Sequence, residues 1–196
     1  MIDTHCHLLH DVDDGPRSLE GSLELARGLV AAGVGTVVCT PHFSRRFPTD
    51  HDLATTRLET LVVALSGARI PLKVTLAAEI GSAAAIEAPA EELRRRQLGN
   101  GYLLVELEPD TPAGVVEVAL ERLVSVGLMP VFAHPERCRA VRGQTSVLDT
   151  ARAAGAPIQV VAQSLTGRWG RETAEAAWNL LDTGRVDLLA SDAHRH

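Results

Sequence analysis

Seven short apolar runs, rich in β-branched residues, alternate along this chain with six longer segments of helical period. The runs predict strands near residues 1–6, 35–40, 73–79, 101–107, 129–133, 157–162 and 186–191. The segments between them predict helices near residues 18–32, 51–66, 84–96, 113–126, 144–154 and 171–183. Strands that alternate with helices pair in parallel, because a parallel neighbour needs a crossover connection. The pattern predicts an α/β fold, which is either an open doubly wound sheet or a closed barrel.

Composition limits the classes of protein that fit this pattern. With 196 residues, 45% of them hydrophobic, the chain can bury one sizeable core, and we expect a single domain over residues 1–196. The formal net charge of −6 argues against a general nucleic-acid binder. No apolar run approaches the roughly 20 residues that span a bilayer, so we expect no membrane insertion. Three cysteines without CxxC spacing predict free thiols and a cytoplasmic location.

Polar side chains follow the apolar runs at a consistent place. Six of the seven predicted strands end in a His, Asp or Glu, on the face where barrel active sites assemble, and this favours the barrel. Imidazoles and carboxylates suit manganese, iron or zinc, and the absence of cysteine argues against a structural thiolate site. The candidate ligands exceed the needs of one ion, so we expect two or three ions that share Glu79 or a bridging water. The candidates are His5, His7, Asp14, His42, Glu79, Glu106, His134, Asp192 and His194.

Each of these signals has an ordinary explanation when it is taken alone. A single His-x-His arises readily by chance in a chain with eight histidines. Glu79 and Glu106 could pair with neighbouring arginines, and the aspartates around Asp14 could form a solvated turn before Gly15 and Pro16. Their joint position at one end of different strands favours a metal cluster over the separate explanations.

The motifs HCH, DVDDGP, TPH, AAE, VE, AHPER and SDAH occur in this order and together resemble the polymerase and histidinol phosphatase (PHP) superfamily. Within it, DTHCHLLHDVDDGPRS and HPER are most similar to the bacterial manganese-dependent protein-tyrosine phosphatases of capsular and extracellular polysaccharide synthesis. The resemblance implies a distorted (β/α)7 TIM-like barrel with three metal ions at its carboxyl-end face. It further implies that this chain lacks the last helix and a second phosphate-binding arginine, so we expect a C-terminal truncation relative to that family.

The resemblance also implies roles for individual residues. Arg137 matches the arginine that holds the phosphate, and Asp192 and His194 are expected to join it in catalysis. Phe43, Arg45, Arg46 and Phe47 follow His42, and we expect their loop to shape the entrance for a phosphotyrosine segment, with Phe43 and Arg45 as its substrate contacts. The third ion would be held by Asp14, His42 and His194. The other two ions would be held by His5, His7, Glu79, Glu106, His134 and Asp192.

The function implied is hydrolysis of phosphotyrosine by direct attack of a metal-bound hydroxide. The expected partner is a phosphotyrosine protein, the C-terminal tail of a bacterial tyrosine kinase, and the expected cofactor is Mn²⁺, with iron or zinc as alternatives. Two other functions stay open: another PHP-type phosphoesterase acting on histidinol phosphate or a nucleotide, or a degenerate metal-binding regulatory protein. A thiol mechanism is disfavoured, because the C-x5-R segment from Cys39 to Arg45 has no glycine and contains Pro41.

Overall fold

The computed structural model describes residues 1–195. Its strands are β1 (Ile2–Cys6), β2 (Thr36–Cys39), β3 (His42–Phe43), β4 (Lys73–Leu76), β5 (Glu79–Gly81), β6 (Tyr102–Glu106), β7 (Met129–Ala133), β8 (Ile158–Val161) and β9 (Leu188–Ala190). Its α-helices are α1 (Leu19–Ala31), α2 (His51–Gly67), α3 (Ser82–Glu87), α4 (Ala90–Arg94), α5 (Gly114–Ser125), α6 (Arg139–Gly143), α7 (Asp149–Ala153), α8 (Ala162–Leu165) and α9 (Arg171–Asp182). Short 3-10 turns cover Pro135–Arg137 and Thr145–Leu148.

The named strands all pair in parallel and form two sheets, in the orders β1-β2-β4 and β3-β5-β6-β7-β8-β9. The two sheets meet at both of their junctions. Beyond β9, Ala193 forms a parallel bridge with Cys6, and its carbonyl accepts a hydrogen bond of 3.0 Å from the His7 amide. On the other side the chain itself links the sheets, since β2 is followed after two residues by β3, and β4 after two residues by β5. The predicted α/β fold with parallel strands is confirmed, and the strands are arranged around a common axis.

The segment predicted as one strand over 73–79 is divided between the two sheets. β4 pairs with β2, whereas β5 pairs with β3 and β6. The division follows from Pro41, which has no N–H and separates β2 from β3. The adjacent segment, β4 and β5, is interrupted at the same level, where its pairing changes from β2 to β3. Glu79 is therefore the first residue of β5, opposite His42, and not the last residue of a long strand.

Two predicted helices are also divided. The segment 84–96 forms α3 and α4, because Pro89 forces Ala88 into an extended conformation with ψ of 149°. The segment 144–154 forms a 3-10 turn followed by α7, and α6 and α8 are short helices that the periodicity does not predict. These corrections change the connections and leave the order of the main strands intact.

Two apolar clusters support the sheets. One packs α5 and α9 against β6–β8 and includes the fully buried Phe132 and Leu123; the other packs α1 and α2 against β1 and β2 and includes Leu25 and Leu61. Each such side chain contributes about 1.5–3 kcal/mol when it is removed from water. Both clusters lie below the carboxyl ends of the strands, so the polar residues there rest on a rigid base. Over residues 1–195, none of the helices has the length and apolarity needed to cross a membrane.

Candidate metal centre

A cavity of about 640 Å³ opens at the carboxyl ends of the parallel strands. His5 lies near the end of β1, Glu106 ends β6, and His134 directly follows β7. His42 and Glu79 begin the short strands β3 and β5, which start where β2 and β4 stop. The two sheets thereby bring the candidate ligands of distant segments to one face. The candidates that line the cavity are Asp14, His42, Glu79, Glu106, His134, Asp192 and His194, and His5 and His7 lie beneath them.

His5 and His7 are buried side by side, with one nitrogen of each ring held by a neighbour. His5 Nδ1 lies 2.8 Å from Gln159 Oε1, and His7 Nδ1 lies 2.7 Å from Asp13 Oδ2. Each Nδ1 therefore carries the proton that it donates, which leaves each Nε2 with a lone pair. The two Nε2 atoms are 3.4 Å apart. This orientation is typical of histidines that bind a metal through Nε2.

Glu79 and Asp192 face the same two nitrogens. Glu79 Oε2 lies 3.3 Å from His5 Nε2 and 3.2 Å from His7 Nε2, and Asp192 Oδ1 lies 3.3 and 3.4 Å from them. Burial alone would raise the pKa of Glu79, but the surrounding histidines, His5 first, lower it well below its usual value. Burial would lower the pKa of His5 and of His7, but the neighbouring carboxylates raise both. With neutral rings, two carboxylates and two imidazole lone pairs at these distances would repel one another, so the group requires positive charge, from ring protons or from a bound cation.

A second set of ligands lies nearer to the cavity mouth. Asp14 Oδ1 is 3.2 Å from His194 Nε2 and 3.5 Å from His42 Nε2. The hydrogen bond from His194, with the positive charge of that ring, lowers the pKa of Asp14 to about 2. His194 Nδ1 is held by the carbonyl of Asp192 at 2.9 Å, and its ring stacks on His7 with centroids 3.9 Å apart. Asp14, His42, His194 and His7 thus form one group of atoms close enough to share an ion.

Glu106 and His134 complete the cluster around Glu79. His134 Nε2 lies 2.7 Å from Glu79 Oε1, and His42 Nδ1 lies 3.0 Å from Glu79 Oε2 and 3.8 Å from Glu106 Oε2. Burial and the neighbouring charge of Glu79 raise the pKa of Glu106. Three overlapping groups could each hold a cation. They are His5, His7, Glu79 and Asp192; His7, Asp14, His42 and His194; and His42, Glu79 and Glu106.

Two of these residues have a backbone conformation that is costly for side chains other than glycine. His134 has a φ of 31° and Asp192 a φ of 50°. Left-handed conformations of this kind cost about 1–3 kcal/mol each and are found mainly where function requires them. The turn at His134 directs its ring to Glu79 and starts the 3-10 turn that carries Arg137.

The residues fit bound metal ions. Several buried oxygen and nitrogen atoms in the cluster have no hydrogen-bond partner, and all are atom types that coordinate divalent metals. Buried polar atoms elsewhere nearly always have a hydrogen-bond partner, so a group of unpartnered atoms at one place indicates a ligand-binding site. The unpartnered atoms are Asp14 Oδ1, His42 Nδ1, Glu79 Oε2, His134 Nδ1 and Asp192 Oδ1.

Arg137 lies over one side of the cluster. Its Nη1 is 2.7 Å from Asp192 Oδ2, while its Nε and Nη2 are buried and have no partner. Nε and Nη2 form one edge of the planar guanidinium, and such an edge can bind two oxygens of a phosphate. The ring of Trp169 covers the guanidinium, whose central carbon is 4.2 Å from the ring centroid.

Of the four residues named on the loop after His42, three line the cavity and Phe43 does not. Phe43 is not part of the cavity wall, since its ring packs beneath the guanidinium of Arg96, 3.9 Å from the central carbon, and joins the apolar core. The expectation that Phe43 contacts a substrate therefore finds no support. Phe47 lines the cavity, and its ring stacks on His42 with the ring centroids 5.2 Å apart. Arg45 lines the rim, where it is 76% exposed and pairs with Glu87 at 2.7 Å.

Cys39 is unsuited to act as a nucleophile. Its side chain is fully buried in β2, and burial raises the pKa of its thiol to about 12. The thiolate that a cysteine phosphatase needs would be negligible at neutral pH. The geometry agrees with the sequence argument against a thiol mechanism.

Sequence reasoning missed two residues that hold the histidine ligands. Asp13 is buried and also accepts hydrogen bonds from the amides of His42 and Gly15, at 3.0 and 2.9 Å. Gln159, in β8, is fully buried and donates to Thr4 Oγ1 as well as contacting His5. The DVDDGP motif shows an acidic residue at position 13, but sequence alone does not tell which aspartate turns inward. A glutamine inside a predicted buried strand is a signal that could have been used.

The parallel strands, the polar cluster at their carboxyl ends and the nearby arginine define the class of barrel-like metallohydrolases. The whole chain, residues 1–196, matches the family described as "Capsular polysaccharide synthesis, CpsB/CapC", and the chain belongs to that family.

Individual relatives and a solved structure agree with this assignment. The tyrosine-protein phosphatase YwqE of Bacillus subtilis is 33% identical over 199 residues, which cover 99% of this chain and 77% of that protein. The tyrosine-protein phosphatase CpsB of Streptococcus agalactiae is 26% identical over 204 residues, or 99% and 83% of the two chains. A crystal structure from work on YwqE and Streptococcus pneumoniae CpsB, described as metal-dependent tyrosine phosphatases, superposes with a TM-score of 0.87 and 31% identity. It covers all of this chain and 80% of the other, and it confirms the predicted fold and family.

Proposed function

We propose that this chain is a metal-dependent protein-tyrosine phosphatase of the CpsB/YwqE type. The observation that carries the proposal is the joint placement of the histidine and carboxylate cluster and the free Nε/Nη2 edge of Arg137 on one wall of the cavity. A phosphate monoester needs both cations against its oxygens and a fixed fork of donors. Whole-chain similarity to tyrosine phosphatases gives the leaving group as tyrosine.

The metal ions proposed are manganese, three in number. The three overlapping groups support the number, and the mixture of imidazole and carboxylate ligands supports manganese over a thiolate-bound metal. Glu79 belongs to two groups, which supports a bridging role. When bound, such ions offset the charge of the phosphate oxygens and make a hydroxide nucleophile available at neutral pH. The proposed ligands are His5, His7, Asp14, His42, Glu79, Glu106, His134, Asp192 and His194.

In this proposal the protein side chains hold and orient the substrate. Arg137 binds two phosphate oxygens through Nε and Nη2, while Asp192 keeps its Nη1 in place. Asp192 thus anchors one nitrogen of the guanidinium as well as serving as a ligand. His194 holds its Nδ1 proton on the Asp192 carbonyl and presents Nε2 to the cluster, so its contribution to catalysis is as a ligand. Arg45 stands at the rim, where it could meet the peptide that carries the phosphotyrosine.

The proposed protein substrate is the phosphorylated C-terminal tail of a bacterial tyrosine kinase of capsular or extracellular polysaccharide synthesis. The family description supports the pathway, and the open, arginine-lined rim supports a peptide rather than a small metabolite. We further propose that residues 1–196 act as one domain in the cytoplasm. The pairing of the segment after β9 with β1 supports the single domain, and the three free cysteines support a reducing compartment.

The test is hydrolysis of a phosphotyrosine peptide with added Mn²⁺, beside a chelated sample and three variants. Arg137→Ala should lose about ten- to a hundredfold in kcat/KM, because a hydrogen-bonded charge contact to phosphate, worth about 1.5–3 kcal/mol, is removed. Arg171→Ala is the matched control, since Arg171 is 88% exposed, and Cys39→Ser should keep turnover. Activity that survives chelation, or that dies with Cys39, contradicts the proposal. Faster turnover of histidinol phosphate than of the peptide would assign a different phosphoesterase.

A further inference from the structure

Arg137 has one edge bound and one edge free, and its function depends on how the side chain is held. The contact with Asp192 restrains only Nη1, and rotation about that contact would turn Nε and Nη2 away from the cluster. An arginine side chain has several rotatable bonds, and ordering it costs up to about 2 kcal/mol of rotamer entropy. A second restraint on the plane of the guanidinium is therefore needed for a preformed phosphate fork.

Trp169 supplies a restraint of this kind. The central guanidinium carbon of Arg137 lies 4.2 Å from the centroid of the Trp169 ring, within the range of a cation–π contact. A ring stacked on a planar guanidinium fixes the plane in which its donors lie, which a single hydrogen bond does not. Trp169 also lines the cavity beside Arg137, although it belongs to neither apolar core cluster and is 49% exposed.

The backbone that carries Trp169 is itself held in place. Trp169 lies in the turn between α8 and α9, flanked by Gly167 and Gly170, whose φ angles of 80° and 91° are in the region that favours glycine. The amides of Gly167 and Gly170 donate to the carbonyls of Ser164 and Gly167 at 3.1 and 3.0 Å. The indole N–H of Trp178, in α9, donates to the Leu165 carbonyl at the start of this turn. Several hydrogen bonds therefore hold the turn in one conformation, and this fixes the position of the Trp169 backbone.

We propose that Trp169 is the positioning residue that holds Arg137 with its Nε/Nη2 edge toward the phosphate. The inference rests on the proposed function, since it assigns Arg137 to phosphate binding. Trp169 acts through Arg137 and not on the leaving group. Its loss therefore lowers the affinity of the site for inorganic phosphate and for different phosphate esters by a similar factor. Phe at this position keeps a π face for the guanidinium, whereas Ala removes it.

The test measures binding of inorganic phosphate to the Mn²⁺-loaded full chain by calorimetry, so that it does not depend on turnover. Trp169→Ala should weaken phosphate binding by about three- to thirtyfold, the range of a partly desolvated cation–π contact. Trp169→Phe should recover binding to within about threefold of wild type. Tyr102→Ala is the matched control, because Tyr102 is an exposed aromatic residue outside the cavity wall and has no contact with the Trp169 turn, and it should bind phosphate like wild type.

A double-mutant cycle shows whether Trp169 acts through Arg137. In an Arg137→Ala background, adding Trp169→Ala should change the phosphate Kd by less than about twofold. Equal weakening in both backgrounds, or unchanged binding in Trp169→Ala alone, overturns the proposal. The Mn²⁺ affinity of Trp169→Ala, measured in the same samples, should stay within about twofold of wild type. If Mn²⁺ affinity falls together with phosphate affinity, Trp169 has a merely structural role.

Turnover separates this inference from the proposed function. If the proposed function holds, Trp169→Ala lowers kcat/KM by the same factor for a phosphotyrosine peptide and for para-nitrophenyl phosphate. A loss confined to the peptide would make Trp169 a peptide contact and overturn the positioning role. If wild type turns over neither substrate, the proposed function fails, while the phosphate-binding cycle still decides the role of Trp169.

Discussion

Asp13 offers the sharpest test of how the ligand histidines are oriented. Its Oδ2 accepts from His7 Nδ1 and from the His42 amide, and its Oδ1 accepts from the Gly15 amide. Both carboxylate oxygens therefore face N–H donors. In Asp13→Asn, one oxygen becomes an NH2 group that points at a donor, whichever way the amide is turned.

The expected cost follows from these contacts. A hydrogen bond to a charged group contributes about 1.5–3 kcal/mol, and loss of a partner that orients a metal-binding histidine lowers affinity by about 10–100-fold. The two ranges agree, since tenfold corresponds to about 1.4 kcal/mol. We therefore expect Asp13→Asn to weaken Mn²⁺ binding by about 10–100-fold. Calorimetric titration of Mn²⁺ into chelator-treated protein measures this directly.

The matched control lies two residues earlier on the same loop. Asp11 carries the same charge, but its side chain is 72% exposed and pairs with Arg57 at 3.1 Å, away from the histidines. Asp11→Asn should leave Mn²⁺ affinity within about twofold of wild type, because exposed ion pairs contribute little. Equal effects of the two substitutions, or an unchanged affinity in Asp13→Asn, would refute the orienting role of Asp13.

Three further outcomes follow from the structure. Gly15→Ala should destabilise the fold by about 1–3 kcal/mol in urea denaturation, because its Cβ would meet the His7 carbonyl at 2.6 Å, whereas Gly114→Ala has open space and should not. Leu123→Ala should cost about 2–5 kcal/mol in the same assay, since Leu123 is fully buried in the larger core cluster, and a loss below 1 kcal/mol would contradict that packing. Iodoacetamide at pH 8 should leave Cys39 unmodified in native protein by mass spectrometry, because its pKa is raised to about 12 and the ionised form exists only well above that pH. Rapid labelling of the folded chain would show that β2 is more open than described.

The main strands were predictable because their apolar runs are short and separated by helical periods. The predicted runs over 129–133 and 101–107 agree with β7 and β6 almost to the residue. The division at Ala77 was not predictable from hydrophobicity, since both halves of the segment are apolar and only pairing with a chain interrupted by Pro41 separates them. The break at Pro89 was predictable from the restriction that proline places on the residue before it.

The candidate ligands were predictable as residue types at strand ends, and the structure brings all nine together. Their assignment as ligands stays a prediction. The positions of Asp13, Gln159 and Trp169 depend on which way loops turn and on contacts between segments far apart in sequence. No local pattern encodes such contacts, and Phe43 shows the converse: adjacency to His42 did not place it in the cavity, because its side chain packs against Arg96.

The bridge between Cys6 and Ala193 joins positions 187 apart in the chain. His5 and His7 are translated long before Asp192, which faces them in the same ligand group. In a nascent chain, two of the three ligand groups therefore stay incomplete until the segment after β9 has been translated and docked on β1. Metal binding by those two groups would then depend on that segment, so that a translation product interrupted before it holds exposed histidines but no assembled metal centre.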